Sequence, residues 1–124
     1  MKLEVGMYVR FKDKRGIEYI RKIVEIPKDN RYASLYLDKD ANYSKGLSLK
    51  NVIKASYNII NLIKSKDIIL GRDGKMYQCW KIYKDYVFTY SKNKQGQTIT
   101  LVDYQIDKVL TKEQMEQMAY KVGE

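Results

Sequence analysis

The chain has 124 residues, 44% of them hydrophobic, and a formal net charge of +9 from 24 basic and 15 acidic side chains. A chain of this length can bury one hydrophobic core of ordinary size or two small ones. No apolar run approaches the roughly eighteen residues of a membrane span. With no histidine and one cysteine, the chain has no histidine general base, no cysteine–histidine zinc cluster and no internal disulfide.

The first half of the chain predicts short strands joined by polar turns. These strands alternate apolar and polar residues or are rich in β-branched and aromatic ones, and they cover 5–10, 17–26, 32–37 and a segment that starts at Leu47. Gly16 supplies the positive φ that a tight hairpin needs between the first two strands. Ser56 then occupies the N-cap position of a short predicted helix over 57–63.

The second half predicts the same elements in the same order. Its strands cover 65–70, 76–83, 86–90 and a segment that starts at Ile99. Gly74 is the hairpin glycine, and Thr111 with Gln114 three residues later has the spacing of a capping box before a helix over 112–118. The final run, 119–122, is interpreted either as an edge strand or as a frayed helix end.

Repetition at a spacing of roughly fifty residues indicates an internal duplication. Four or five short, bent strands followed by one or two helical turns are typical of an SH3-like small β-barrel. We therefore predict a mainly β chain of two tandem SH3-like units, 1–62 and 63–124, each ending in a short helix. Units this small are marginal alone, so we expect them to pack together.

Basic side chains at turn tips are the candidate partner-binding residues. Lys14 and Arg15 lie at the first hairpin, and Arg15 is the strongest candidate because a guanidinium binds carboxylate or phosphate bidentately. The polar loops after the third strands add the other candidates, Tyr43, Lys45, Lys92 and Lys94. Two other interpretations stay open: a solvated hairpin tip, and a lysine excess from A/T-rich codons, since 19 of the 24 basic residues are lysine.

The twelve tyrosines are the second notable feature of the composition. Aromatic rings interleaved with lysine on a small β-sheet stack the bases of single-stranded nucleic acid. Five tyrosines lie on or beside the predicted third strands: Tyr32, Tyr36, Tyr43, Tyr86 and Tyr90. Tyrosine is also an ordinary strand former and a frequent residue of protein interfaces. Sheet packing, a protein partner and nucleic acid all remain open as explanations.

Catalytic and cofactor motifs are missing from the sequence. The segment 71–74, which has a glycine at each end, lacks the lysine–serine ending of a phosphate loop and is interpreted as a turn. Residues 38–42 begin like a calcium loop, but Tyr43 occupies the position that needs glycine and Leu49 the one that needs glutamate. We predict a protein that is not an enzyme, with no cofactor, no metal and no small-molecule substrate.

Three segments, 1–10, 53–63 and 110–116 with 120–122, carry a resemblance that covers most of the chain in order. They resemble an uncharacterised family of small proteins carried by prophages and other mobile elements of clostridia and related low-GC bacteria. The resemblance implies no activity and no catalytic residues. It implies a mobile-element setting, in which small non-enzymatic proteins often bind host machinery.

The expected function is host interaction in the cytoplasm of a bacterial host, as an anti-CRISPR type of counter-defence inhibitor that binds a defence nuclease or its guide complex. A net charge of +9 excludes DNA mimicry by an acidic surface. The expected partner is a host protein or a protein–nucleic acid complex, with direct nucleic-acid contact possible and no membrane. The alternatives are a nucleic-acid-binding small barrel for the element's own regulation and a structural or assembly component of a phage particle.

Overall fold

The computed structural model describes residues 2–27, 34–37, 47–90 and 98–118. The chain divides into two compact units, Met1–Leu62 and Ile63–Glu124. The fold is mainly β, as predicted, and the described strands form two five-stranded antiparallel sheets. Among the described residues neither sheet closes into a barrel, because each keeps two edge strands.

The first unit contains strands β1 (Tyr8–Lys12), β2 (Glu18–Glu25), β3 (Ser34–Leu37), β4 (Leu47–Ser48) and β5 (Val52–Ser56). Their order in the sheet is β4-β3-β2-β1-β5. A 3₁₀ turn, Leu49–Asn51, precedes β5. Alternation along β1 buries Val9 and Phe11, which form a core with Ile23 of β2 and Leu37 of β3.

The second unit contains strands β6 (Ile68–Gly71), β7 (Met76–Tyr83), β8 (Tyr86–Tyr90), β9 (Ile99–Leu101) and β10 (Ile106–Leu110), followed by helix α1 (Lys112–Met118). Their order is β10-β6-β7-β8-β9, which is the order of the first unit repeated. A 3₁₀ turn, Asp103–Gln105, again precedes the last strand. The buried apolar residues of these strands are Ile69, Cys79, Val87, Leu101, Ile106 and Val109.

The two units also share irregularities of the backbone. The register between the second and third strands shifts directly after Ile23 in β2 and directly after Cys79 in β7, so both strands carry a β-bulge. Each of these residues accepts a hydrogen bond at its carbonyl oxygen from a residue with positive φ, Gly6 (+95°) for Ile23 and Lys66 (+76°) for Cys79. Matching irregularities support duplication more strongly than matching strands do.

The hairpins β1–β2 and β6–β7 turn at equivalent glycines, as the sequence predicts. Gly16 and Gly74 both have φ of +82°, the left-handed region that favours glycine. Gly16 donates its N–H to the carbonyl oxygen of Asp13 (3.1 Å), and Gly74 donates to that of Gly71 (3.0 Å). The two turns are therefore built in the same way.

Arg10 is a buried charge on the face of β1 opposite to Val9 and Phe11. Its side chain is 2% exposed; Nε donates to Oε1 of Glu18 (2.6 Å), and Nη1 donates to the carbonyl oxygen of Leu62 (2.9 Å). The guanidinium thus connects β1 to β2 and to the end of the first unit. Burial of a charge is tolerated only with such partners.

The prediction of the first helix is wrong in the type of helix and in the residue that caps it. In place of a helix over 57–63 there is a 3₁₀ turn, Ile59–Leu62, and Ser56 is the last residue of β5. Oγ of Ser56 accepts a hydrogen bond from the N–H of Asn58 (3.1 Å), and Oδ1 of Asn58 accepts one from Ile60 (3.0 Å). Asn58 is therefore the residue that caps the turn.

The second predicted helix and its capping box are confirmed. The N–H of Gln114 donates to Oγ1 of Thr111 (3.2 Å), and the N–H of Thr111 donates to Oε1 of Gln114 (3.0 Å). The buried carboxylate of Asp67 accepts from the N–H groups of Lys112 (2.9 Å) and Lys64 (2.8 Å). It thereby joins the start of α1 to the segment before β6.

The sequence did not assign a fifth strand to either unit. β5 and β10 each pair with the first strand of their own unit, which is about forty residues earlier in the chain. The two interpretations of residues 119–122 concern a segment outside the described residues.

Candidate functional site

The sequence-predicted binding residues are only partly within the described structure. Four of them lie outside the described residues: Tyr43, Lys45, Lys92 and Lys94. Lys14 and Arg15 lie at the tip of the β1–β2 hairpin, where both are exposed. The structure therefore gives a setting for this pair, and their binding role stays a prediction.

Arg15 has a role inside its own turn that the sequence did not indicate. Its guanidinium contacts Oδ2 of Asp13 through Nη2 (3.1 Å) and Nε (3.3 Å), and Nη2 also contacts the hydroxyl of Tyr19 (3.2 Å). Asp13 further accepts the N–H groups of Arg15 (2.8 Å) and Ile17 (3.0 Å). Arg15 is consequently paired with an acid, although its side chain is 66% exposed.

Asp13 is the centre of this turn. Partial burial acts to raise its pKa, but the hydrogen bonds from Ile17, Arg15 and Tyr19 outweigh that effect and hold the pKa below its ordinary value. The carboxylate therefore stays ionised and organises the hairpin tip. This self-contained arrangement makes Arg15 a weaker binding candidate than the sequence suggests.

The structure brings together a second surface, which we call the aromatic face. It consists of five side chains on the side of β7 and β8 that faces away from the buried residues: Trp80, Tyr83, Tyr86, Phe88 and Tyr90. Along β8 the alternation is complete, since Val87 and Thr89 are fully buried between the three aromatic residues. The aromatic face therefore results from strand register.

Trp80 is the central ring of the aromatic face. Its ring centroid is 6.3 Å from that of Phe88 and 6.2 Å from that of Tyr90, with interplanar angles of 39° and 45°. These tilted pairs support one another and still leave Trp80 39% and Tyr90 55% exposed. Large apolar rings held together at the surface mark a contact site more often than scattered ones do.

The charge on the aromatic face is positive. Lys81 is paired with Phe88 across the β7–β8 ladder, and the Nζ atom of Lys84 lies 5.5 Å from the ring centroid of Tyr83. Strands β7, β8 and β9 contain no aspartate or glutamate. The nearest acid along the chain, Asp85, is in the exposed turn between β7 and β8.

The bulge in the second strand of each unit allows a direct comparison of the two units. The bulged residue, which follows Ile23 in β2 and Cys79 in β7, is Val24 in the first unit and Trp80 in the second. Both side chains are exposed, Val24 at 50%. A bulge redirects a side chain without changing the rest of the strand, so the same backbone position presents an aliphatic group once and an indole once.

The next position differs in charge. Glu25 follows the bulge in the first unit and is paired with Tyr36, whereas Lys81 follows it in the second unit and is paired with Phe88. The first unit therefore presents an acidic residue where the second presents a basic one. The indole and the basic residue at these two positions belong to the second unit and do not follow from the shared fold.

A pocket of about 320 Å³ lies in the second unit between the β6–β7 hairpin, β9 and the 3₁₀ turn before β10. Nε of Arg72 donates to the carbonyl oxygen of Tyr104 (2.9 Å), which closes one side. The hydroxyl of Tyr77 donates to Asp73 and holds the pKa of that carboxyl below its ordinary value, while the carboxylate raises the pKa of Tyr77. These polar groups stabilise the β6–β7 hairpin.

Neither a metal site nor a membrane helix is found in the described part of the chain. There, no three histidine, cysteine, aspartate or glutamate residues come together as metal ligands, and no helix is both long and apolar enough to cross a membrane. Cys79 is fully buried, and burial together with the Asp67 charge raises the pKa of its thiol to about 11.

Sequence reasoning found part of the aromatic face and missed its centre. Of the five tyrosines named as possible stacking residues, Tyr86 and Tyr90 lie on this face, Tyr36 lies on β3 of the first unit, and Tyr32 and Tyr43 lie outside the described residues. Trp80 and Phe88 were left out. Phe88 could have been found from the period of two along β8. Trp80 could not, because the bulge after Cys79 sets its direction.

No protein-family model, no curated protein and no solved structure matches the chain. The aromatic face and the charged β1–β2 hairpin are the two surface features of the described residues that bear on function.

Proposed function

We propose that the protein acts by binding a macromolecular partner, without catalysis, and that the aromatic face is its docking surface. The observation that carries this proposal is the cluster around Trp80, whose ring lies within 6.3 Å of both Phe88 and Tyr90 and remains exposed. Aromatic residues are enriched at interface centres because a rigid ring gives a large contact area at a small entropic cost.

The proposed partner is a host protein or a protein–nucleic acid complex in the bacterial cytoplasm. This proposal is supported by the resemblance to small proteins of mobile elements, which often bind host machinery. In that setting the protein acts as a counter-defence inhibitor of the anti-CRISPR type, docking on a defence nuclease or its guide complex. A net charge of +9 favours acidic protein surface or nucleic acid as the contacted group.

We also propose that each unit is SH3-like. In both units the last strand returns to pair with the first after a single 3₁₀ turn, and the strand order is the same. Five short antiparallel strands with that connection support an SH3-like assignment. Such a scaffold leaves its function to surface residues, consistent with the different side chains at Val24 and Trp80.

The test is quantitative capture from a bacterial host lysate, comparing the wild type with Trp80→Ala and with Val24→Ala. The two substitutions remove side chains from equivalent exposed bulges, so Val24→Ala is the matched control. We expect Trp80→Ala to lose the captured partner and Val24→Ala to keep it. Equal capture by both variants would show that the aromatic face is not the docking surface.

A second candidate function is nucleic-acid binding for the mobile element's own regulation. The observation that favours it is the placement of Lys81 and Lys84 beside aromatic rings. Here the protein would bind the element's nucleic acid in the absence of any host protein. Mass spectrometry of the material captured from the lysate separates the two functions, because only host interaction recovers a specific host protein.

A further inference from the structure

We propose that the aromatic face binds single-stranded nucleic acid, with unpaired bases stacked on Trp80 and Tyr90 and the phosphates held by Lys81 and Lys84. This inference rests on the proposed function, since it names what the docking surface contacts. It applies equally to a guide strand in a complex and to free nucleic acid.

The first argument is the chemistry of the rings. A base has two flat faces and needs a flat apolar surface, and aromatic side chains on a sheet supply that surface for bases of any sequence. Trp80 and Tyr90 keep 39% and 55% of their surface exposed while their tilted packing fixes their orientation. The platform is therefore already formed and needs no ordering when a base arrives.

The second argument is charge complementarity. Strands β7, β8 and β9 contain no acid, and Lys81 is on the aromatic face itself. At the equivalent position the first unit has Glu25, whose carboxylate would repel a phosphate. Lys81 suits an anionic partner such as a phosphate backbone, whereas Glu25 does not.

The third argument concerns the form of the nucleic acid. In a duplex the bases are stacked on one another and their faces are covered, so only edges are offered to a protein. Stacking on Trp80 requires unpaired bases. Stacking also makes no contact with the sugar, so RNA and DNA are expected to bind with similar affinity.

Trp80 makes the test direct, because it is the chain's one tryptophan and its fluorescence reports on this face alone. Full-length protein is titrated with unlabelled oligo-dT and oligo-U of about 12 nucleotides and with a duplex of the same length. Both single strands should quench the Trp80 emission, and the duplex should not. Absence of quenching at single-strand concentrations up to about 100 μM would overturn the proposal.

Variants are then measured by the anisotropy of a labelled oligo-dT. Trp80→Ala should weaken binding by about 5-fold to 150-fold, the loss of one stacked base, and Val24→Ala should leave it unchanged. Because Trp80 also packs on Phe88, Tyr90→Ala serves as a second variant, and thermal unfolding verifies that each variant is folded. Unchanged affinity in both Trp80→Ala and Tyr90→Ala would contradict the proposal.

The lysines are tested through salt. Between about 50 and 200 mM salt, Lys81→Glu should reduce the slope of log affinity against log salt by roughly 0.7, the value for one phosphate contact with a single strand. Lys54→Glu makes the same change of charge on an exposed residue of β5 in the first unit. It should leave the slope unchanged, and an equal effect of both variants would refute a localised phosphate contact.

The lysate capture described above separates this inference from the proposed function. If oligonucleotides do not bind but Trp80→Ala still loses its lysate partner, the occupant is a protein, so the inference fails and the docking function stands. If Trp80→Ala changes neither oligonucleotide binding nor capture, both fail. A more than tenfold difference between oligo-dT and oligo-U would contradict stacking without sugar contact.

Discussion

Replacing the hairpin glycines by alanine should destabilise the protein through the backbone alone. Gly16 and Gly74 both have φ of +82°, and a Cβ added at either position meets no atom within 4 Å. No clash with the surrounding residues therefore contributes. A left-handed conformation costs a non-glycine residue about 1–2 kcal/mol, and the lower entropy of the unfolded alanine chain returns roughly 0.4–1 kcal/mol of this.

The net expectation is a loss of about 1 kcal/mol for Gly16→Ala and for Gly74→Ala, with a larger loss for valine because β-branched residues tolerate positive φ least. Lys66 offers the opposite change. Its φ is +76°, and the first unit has Gly6 at the equivalent position, so Lys66→Gly should stabilise the second unit by up to about 1 kcal/mol.

Urea denaturation measures these changes as shifts of the midpoint at constant m-value. Lys14→Ala is the control, because it changes an exposed residue in the same turn as Gly16 and should stay within about 0.5 kcal/mol. Neutral or stabilising alanine substitutions at both glycines would refute the backbone argument. So would a loss of stability in Lys66→Gly.

The remaining predictions concern charged groups. Arg10→Ala should cost about 3 kcal/mol or more in urea denaturation because it removes the donor that the part-buried Glu18 carboxylate and the buried Leu62 carbonyl oxygen share; a loss under 1 kcal/mol would contradict this. The hydrogen bond from Tyr77 lowers the pKa of Asp73, so the stability that this carboxylate contributes is present above about pH 4 and is lost as the pH falls through the lowered pKa. Asp73→Asn should therefore reduce the loss of melting temperature at acid pH. An unchanged loss would exclude this contribution. Lys14→Glu with Arg15→Glu should weaken partner capture if the hairpin tip binds, and unchanged capture would identify the tip as solvated surface.

Local signals predicted the hairpins and the second helix because the determinants of each lie within a few residues. Gly16 and Gly74 form turns of the same type, and Thr111 forms its capping box with Gln114, three residues away. The SH3-like assignment agrees with the shared strand order and stays a proposal. Short-range chemistry thus accounts for the parts that were predicted in detail.

The missed features depend on contacts between distant residues. The edge strand Val52–Ser56 is stabilised by pairing with β1, and no local pattern marks it as the partner of a strand forty residues away. Asn58 caps the 3₁₀ turn Ile59–Leu62 because Ser56 belongs to that edge strand. At the candidate site, the direction of Trp80 is set by a register shift that only the pairing of β7 with β8 reveals.

The burial of Cys79 gives the second unit a built-in reporter of its own opening. A thiol that is fully buried and has a pKa of about 11 is protonated and inaccessible at neutral pH, so an alkylating reagent reacts only with molecules in which β7 has transiently separated from its neighbours. The labelling rate therefore measures how often this sheet opens. Because no other cysteine competes, the kinetics of one modification describe the motions of one half of the chain.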